Sequence, residues 1–469
     1  MSIDTQSTMT YQFADRVLGI HYSELPADVI DVTKRVIIDG LACAIGGFNS
    51  PTGQIVRNYA KECGGAPEAT LIGTGDAASI SAAIIANEAI LRYLDYNDDF
   101  DIELGPGFLA GCHPSGSLPV ALAVAEKTNA TGSALIEAIV GGYEVMAELI
   151  TRFRKSLQMN HIHHGSVHPY GGAVMAGLLM GLDRTQLVNA MGVAGGLSAA
   201  LDILDAEGEE YDMSKNVADG FLAERGYVGA LLSKHGLTGP ARVIEGRKGF
   251  AQALLGGQEN FDMERPWGGD FHILHTEFKS VCTEMTTQGH LHATTCLVND
   301  HDIKPEDISG IVIRTNLRTV NHCGDPVKKY PKNKETADHS SYFLTAMAVI
   351  ERQITPKIYA EENYSDPRVK ALIDKTRLEH GSEFDGVQPA AEVIITLSNG
   401  EVLRRTATRD EIHAIRKELV TDEGLRGKFL ECAEGLMTPG EIDGIIETCL
   451  NLEKQKSITE FLSLLRIGK

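Results

Sequence analysis

Along residues 79–94 the apolar positions Ile80, Ala83, Ile84, Ala86, Ile90, Leu91 and Leu94 recur at helical spacing, which predicts a helix that delivers Asp95 to its end. The same periodicity predicts helices over residues 27–44, 115–128, 133–153, 171–181, 184–200 and 220–234, so that almost everything from residue 10 to about 257 reads as helix. Breaks such as Asn129-Ala130-Thr131-Gly132 and Gly181-Leu182-Asp183 suit antiparallel helix hairpins. Gly141-Gly142, Gly195-Gly196 and Ser198-Ala199-Ala200 are small enough to let helices approach closely.

The pattern changes across residues 264–270, where Pro266, the single tryptophan Trp267 and Gly268-Gly269 mark a boundary. Beyond it, residues 310–315 with Ile311, Val312 and Ile313, and residues 391–397 with Val393, Ile394 and Ile395, read as strands. Ser398-Asn399-Gly400-Glu401 then joins the second strand to Val402-Leu403-Arg404-Arg405 as a hairpin. Helical segments at 288–300 and 335–353 sit between these strands, and helix returns over 421–467. The expected fold class is mainly α with an α+β insertion. Residues 1–268 and 406–469 make the all-α helical body, and residues 269–405 make the smaller α+β domain. The chain carries no internal repeat, low-complexity tract or nucleotide-binding glycine fingerprint.

Composition narrows the function. A length of 469 residues suits two or three domains, and 43% hydrophobic residues give ample core. The formal net charge of −21 argues against nucleic acid and against an anionic membrane surface as partners, so an anionic substrate needs a local cationic pocket. The eight cysteines include no CxxC pair and read as small buried hydrophobes in a reducing compartment. The first residues lack a basic stretch followed by an apolar core, and no uncharged apolar run is long enough to span a bilayer. A cytoplasmic location follows as the expectation.

Candidate chemistry concentrates between Asp95 and Gly116, in Leu94-Asp95-Tyr96-Asn97-Asp98-Asp99, an acidic insert, and His113-Pro114-Ser115-Gly116. Ser115 is placed to cap the next helix, with His113 just before it, where positive partial charge favours the neutral, basic imidazole. The plainer reading makes Asp95 and Asp98 loop carboxylates and His113 a loop histidine. His161, His163, His164 and His168 invite a zinc reading, but Gly165 and Pro169 oppose the helix that would align them. His168-Pro169 precedes a helix as His113-Pro114 does, so the two histidines suit one shared anion-friendly pocket. Lys215, closing a polar loop before a helix, and Lys279, after Phe278, stand out as candidates for binding carboxylates.

These residues resemble the MmgE/PrpD family of 2-methylcitrate dehydratases, cis-aconitate decarboxylases and iminodisuccinate epimerases. The resemblance runs through most of the chain. It rests on residues 94–99, on His113-Pro114-Ser115-Gly116 followed by Leu118-Pro119-Val120, on His168-Pro169, Lys215 and Lys279, and on Lys334-Glu335-Thr336-Ala337-Asp338-His339-Ser340 followed by Tyr342-Phe343. It implies an all-α body with the α+β domain as a lid, a homodimer, a site between body and lid, and neither metal nor organic cofactor. Carried over position by position, Asp95, His113 and His168 are the implied catalytic residues. Lys215, Lys279, Asp98 and Ser115 are the implied substrate-binding residues.

Two departures bear on the activity. Relatives place a histidine shortly after the boundary lysine, where this chain has Glu284, with His290 further on. The insert between Asp99 and His113, with Asp101 and Glu103, is longer and more acidic than in decarboxylase-like relatives, and is either a solvated loop or a preference for a cationic group. Gly116-Ser117 also stands where dehydratase-type relatives carry Asp-Asn. A lyase on a di- or tricarboxylate is the first expectation. An epimerase or isomerase is second, and a catalytically lapsed carboxylate-binding scaffold third.

Overall fold

The computed structural model describes residues 8–105 and 108–468. Helix Ile80–Arg92 is the hub. It is apolar on nearly every side, which suits only a fully surrounded helix, and it packs against Ala27–Gly47, Pro51–Cys63, Leu118–Thr128 and Ala218–Lys234. Of its polar residues, Asn87, Glu88 and Arg92 are buried; Asn87 holds the backbone at Thr70 and Ile72, and Arg92 reaches the chemistry described below.

Helix His168–Leu179 runs against Gly132–Thr151, Arg184–Leu197 and Ala218–Lys234. Its contact with the last of these is backbone to backbone. A Cβ at Gly226 would lie 2.4 Å from the Ala173 nitrogen, and one at Gly172 would lie 2.5 Å from the Ala223 carbonyl oxygen. Glycine at both positions is what brings His168 beside Asp219, the second residue of the facing helix.

Beyond the boundary, four strands form one sheet in the order Thr376–His380, Ile308–Thr315, Ala391–Leu397, Val402–Ala407. The first pair is parallel and the others antiparallel. Ile311 faces Ile395 and Ile313 faces Val393 across the register, and all four are fully buried. Each such side chain contributes roughly 1.5–3 kcal/mol. The expected hairpin forms, with Gly400 at φ 89° and the Leu397 N–H donating to the Glu401 carbonyl. Helices Gln288–Asp300 and Ser341–Glu351 pack against each other and against this sheet.

The C-terminal helices Asp422–Cys432 and Pro439–Leu450 return to pack on Ala27–Gly47. The buried Lys428 ammonium pairs with Asp39 at 2.5 Å and donates to the Tyr96 carbonyl at 2.6 Å, so the tail braces the segment after Asp95. Among the described residues no helix is long and apolar enough to cross a membrane.

Two local expectations change, and one strand is unforeseen. Ser115 does not cap the next helix. Pro114–Ser117 forms one 3-10 turn, and the α-helix begins at Leu118 with Pro119 in its first turn, where a proline needs no N–H partner. The acidic insert is not a loop but an antiparallel hairpin, Phe100–Gly105 paired with Phe108–Cys112. Strand Thr376–His380 goes unmarked by any apolar alternation, because it is held by pairing with Ile308–Thr315 rather than by burial.

Candidate active site

Asp95 follows the hub helix at φ 48°, a left-handed conformation that Asp tolerates better than most residues. Its carboxylate is 2% exposed and collects Arg92 at 2.7 Å and Lys215 at 3.0 Å, together with Lys279. Lys279 also donates to the Asp95 backbone carbonyl at 3.0 Å. Burial alone would raise this carboxyl's pKa; Arg92, Lys215, Lys279 and His339 outweigh it and hold the group well below the usual carboxylate range. Backbone pairing delivers Lys279 to this point: Asp99 and Glu277 exchange N–H to carbonyl bonds of 2.9 and 2.8 Å.

The string Lys334 to Ser340 now has a physical account. Lys334 pairs with Asp338 at 2.6 Å, Asp338 accepts from the His339 Nδ1 at 2.5 Å, and the His339 Nε2 lies 3.7 Å from Asp95 and 3.5 Å from Asp205. Glu335 accepts from Asn216 at 2.7 Å and the Thr336 hydroxyl accepts from the Tyr211 N–H at 3.0 Å. These two bonds fix the loop that carries Lys215.

His113 donates from Nδ1 to the Asp98 carbonyl at 2.8 Å, because a carbonyl oxygen can only accept. In the neutral ring this leaves a lone pair on Nε2. Burial first, then Arg92 and Lys279, push the His113 pKa well below its ordinary value, so the ring is neutral at pH 7. The helix start invoked from sequence lies a 3-10 turn away. Asp98 accepts from the Ser115 N–H at 3.1 Å and the Tyr143 hydroxyl at 2.8 Å, and burial raises its pKa to about 6. The Ser115 hydroxyl accepts from Asn97 at 2.9 Å. Asp98 and Ser115 thus shape the loop behind His113.

A polar cavity of about 40 Å³, room for a few waters, is lined by Asp95, His113 and Lys279. Arg92, Asp99, Asp101, His164, Asp205, Glu284, Arg318, His322 and His339 also line it. It adjoins a cavity of about 90 Å³ through shared Asp99, Asp101, Leu109 and Met285. Of the residues that the family resemblance implies, His168, Lys215, Asp98 and Ser115 stand outside this lining. His168 is fully buried, bonded through Nδ1 to Ser117 at 2.9 Å, with Nε2 3.6 Å from Asp219, and a Cβ on Gly116 would touch its ring. It supports the loop that carries His113. Lys215 reaches Asp95 from behind.

Glu284 lies on the cavity wall, where it accepts from the Thr286 N–H and hydroxyl, both at 2.7 Å. His290 does not reach the wall; it is sealed in helix Gln288–Asp300, and burial pushes its pKa down to about 3. The hairpin brings Asp99 and Asp101 to the cavity, and Gly111 is required opposite Asp101, since a Cβ there would overlap its carboxylate. Arg92, Asp205, Arg318 and His322 were not singled out from sequence. Arg92 and Asp95 sit at i, i+3 and Arg318 and His322 at i, i+4, so helical spacing was the available signal.

Candidate metal donors among the described residues fall into groups such as His163, His164 and Asp219, or Asp205, His322 and His339. In the first, the His163 Nδ1 lone pair already accepts from the Gly165 N–H and Arg92 lies 3.7 Å from Asp219. In the second, Lys215 lies 3.8 Å from Asp205. Cations already occupy the space beside these donors, so neither group fits a metal centre.

Comparison with known proteins settles the family. The MmgE/PrpD N-terminal domain matches residues 11–262 and the MmgE/PrpD C-terminal domain matches residues 282–452. The chain belongs to the MmgE/PrpD family. The cis-aconitate decarboxylase of Mus musculus is 24% identical over 98% of this chain and 93% of its own length. That of Aspergillus terreus is 24% identical over 98% and 96% respectively. The mitochondrial 2-methylcitrate dehydratase of Yarrowia lipolytica is 26% identical over 80% of this chain and 74% of its own. Within the family frame, the N-terminal domain supplies Asp95 and His113 to the cavity, and Arg318, His322 and His339 come from the C-terminal domain.

Proposed function

We propose that this MmgE/PrpD chain is a cofactor-independent lyase for a small di- or tricarboxylate. It removes a proton from the carbon next to a carboxylate and then releases water or carbon dioxide. The observation that carries the reading is neutral His113, its Nε2 lone pair free to act as base, on the same cavity wall as the Lys279 ammonium. Such a C–H is a weak acid, so the negative charge that spreads onto the neighbouring carboxylate needs a fixed cation, which Lys279 provides. The proton held on His113 then leaves with a hydroxyl as water, or is returned to another carbon of the substrate before carbon dioxide departs, and a solvent proton then takes the electron pair that carbon dioxide leaves on carbon. Asp95 positions Lys279, and His168 supports the His113 loop. The relatives' names, cis-aconitate decarboxylase and 2-methylcitrate dehydratase, support the substrate class.

A second reading rests on the wall formed by Asp99, Asp101, Asp205 and Glu284. Carboxylates on that wall favour a substrate nitrogen cation, which suits an epimerase of an iminodisuccinate-like compound. One assay separates the two: 2-methylcitrate, citrate, cis-aconitate and an iminodisuccinate-type compound are incubated with the enzyme in deuterated water and followed by NMR. Loss of water or carbon dioxide supports the lyase, and deuterium exchange without loss of mass supports the epimerase. Neither turnover nor exchange on any of them overturns both.

A homodimer is part of this reading. Leu197 at 81% and Leu201 at 66% exposure, with Ile203 beside them, lie on the segment that also supplies Asp205, an apolar surface that a second copy would cover. Sedimentation equilibrium giving a monomer at micromolar concentration would reject it.

A further inference from the structure

Cations and carboxylates around Asp95 are matched. Arg92 is shared between Asp95 and Asp219, Lys215 between Asp95 and Asp205, and Lys279 is held by Asp95. Arg318 breaks the pattern. It lines the same cavity, yet among the described residues it forms no ion pair within 4.0 Å, and its buried Nε has no hydrogen-bond partner. Glu284, Asp101 and Asp205 act on it only through space.

One helical turn further along Leu317–His322, His322 lines the same cavity. Its side chain is 6% exposed and its Nε2 also lacks a partner. Both residues are held from behind. Asn316 caps the helix by accepting from the Thr319 N–H at 2.9 Å, Lys328 donates to the His322 carbonyl at 2.8 Å, and the His322 ring meets that of His339 edge to face at 5.4 Å. A buried guanidinium N–H and a buried imidazole nitrogen left unpaired both carry a desolvation cost, which a ligand oxygen removes. Lys215 and Arg318 itself disfavour a metal cation here. The planar guanidinium fork matches a carboxylate, and a neutral imidazole with its proton on Nε2 adds one further donor.

We propose that Arg318 and His322 form a carboxylate-binding subsite that anchors one carboxylate of the substrate from the C-terminal domain while His113 addresses the C–H from the N-terminal domain. This deepens the lyase reading and rests on it for the identity of the reacting substrate. Specificity for a second carboxylate then resides in Arg318, a binding residue and not part of the proton transfer.

The test is calorimetric titration of the full chain with tricarballylate, an unreactive tricarboxylate, using wild type, Arg318→Gln, Arg318→Lys and His322→Gln. Loss of a charge-assisted hydrogen bond predicts affinity weaker by about tenfold or more in Arg318→Gln, with partial rescue in Arg318→Lys and a smaller loss in His322→Gln. On whichever compound the NMR screen identifies, KM rises in Arg318→Gln while kcat changes little. A wild type that does not bind tricarballylate, or an Arg318→Gln affinity within twofold of wild type, overturns the subsite. If Arg318→Gln does not fold, an unchanged affinity in both His322→Gln and Arg318→Lys overturns it equally. Tricarballylate bound through Arg318 without turnover of any screened compound leaves the subsite standing and rejects the lyase. Turnover with unchanged KM in Arg318→Gln does the reverse.

Discussion

The Lys215 ammonium lies 3.0 Å from the Asp95 carboxylate, although 120 residues separate the two in the chain. Arg92 and Lys279 reach the same carboxylate, so among the described residues Asp95 is the counter-charge that all three buried cations share. Asp95→Asn strips that charge from all of them and should cost about 3–5 kcal/mol of unfolding free energy. Lys215→Met leaves Asp95 with two partners and should cost less. Urea denaturation of both variants checks the order, and an Asp95→Asn protein as stable as Lys215→Met would contradict the shared-counter-ion account.

His113 and His168 should separate in kinetics. His113→Gln removes the proposed base and should lower kcat by about a hundredfold to ten-thousandfold with its folded spectrum intact. His168→Asn, acting through Ser117 and Gly116, should lower kcat less and reduce thermal stability more. Steady-state kinetics beside thermal melts decide this, and the opposite ranking of kcat would reassign the base.

The pH dependence has a definite sign. His113 and His164 are held neutral, each with a pKa well below 6.5, chiefly by burial. In the unfolded chain both take up protons below about 6.5. Their contribution to stability is therefore fully present above that pH and is lost as the pH falls toward their folded values. Chemical denaturation between pH 8 and 5 should show the loss, reduced in His164→Asn. The acid limb of kcat/KM should likewise lie below 6.5, and a limb at 6.5 or above would contradict a depressed His113.

Two glycines in helices should respond oppositely to alanine. At Gly226 the new Cβ meets the Ala173 backbone nitrogen at 2.4 Å, so helices Ala218–Lys234 and His168–Leu179 must part, at a cost of about 1–3 kcal/mol. At Gly427, exposed in helix Asp422–Cys432, nothing lies within 4 Å, and alanine should stabilise by about 0.5–1 kcal/mol. Melting temperatures moving in the same direction for both would refute this packing picture.

Periodicity alone located the helices Ala27–Gly47, Ile80–Arg92 and those from Leu118–Thr128 to Ala218–Lys234, but not Pro51–Cys63; it also located the hairpin at Asn399-Gly400 and the return to helix near the C-terminus, because each is encoded by neighbours a few positions apart. Asp95, His113 and Lys279 were legible as candidates because they sit at element ends with unusual local chemistry. The hairpin Phe100–Gly105 also had a local signal, apolar 100, 102 and 104 alternating with acidic 101 and 103, but nothing in the sequence says which way those acids point. Tertiary structure alone decided that Lys215, Lys279 and Arg92 share one carboxylate and that His168 stands behind the loop while His113 lines the cavity. It also left Arg318 there with no ion pair among the described residues. Those outcomes depend on desolvation and on distances between segments 51 to 184 residues apart, and neither quantity is a property of any local stretch of sequence.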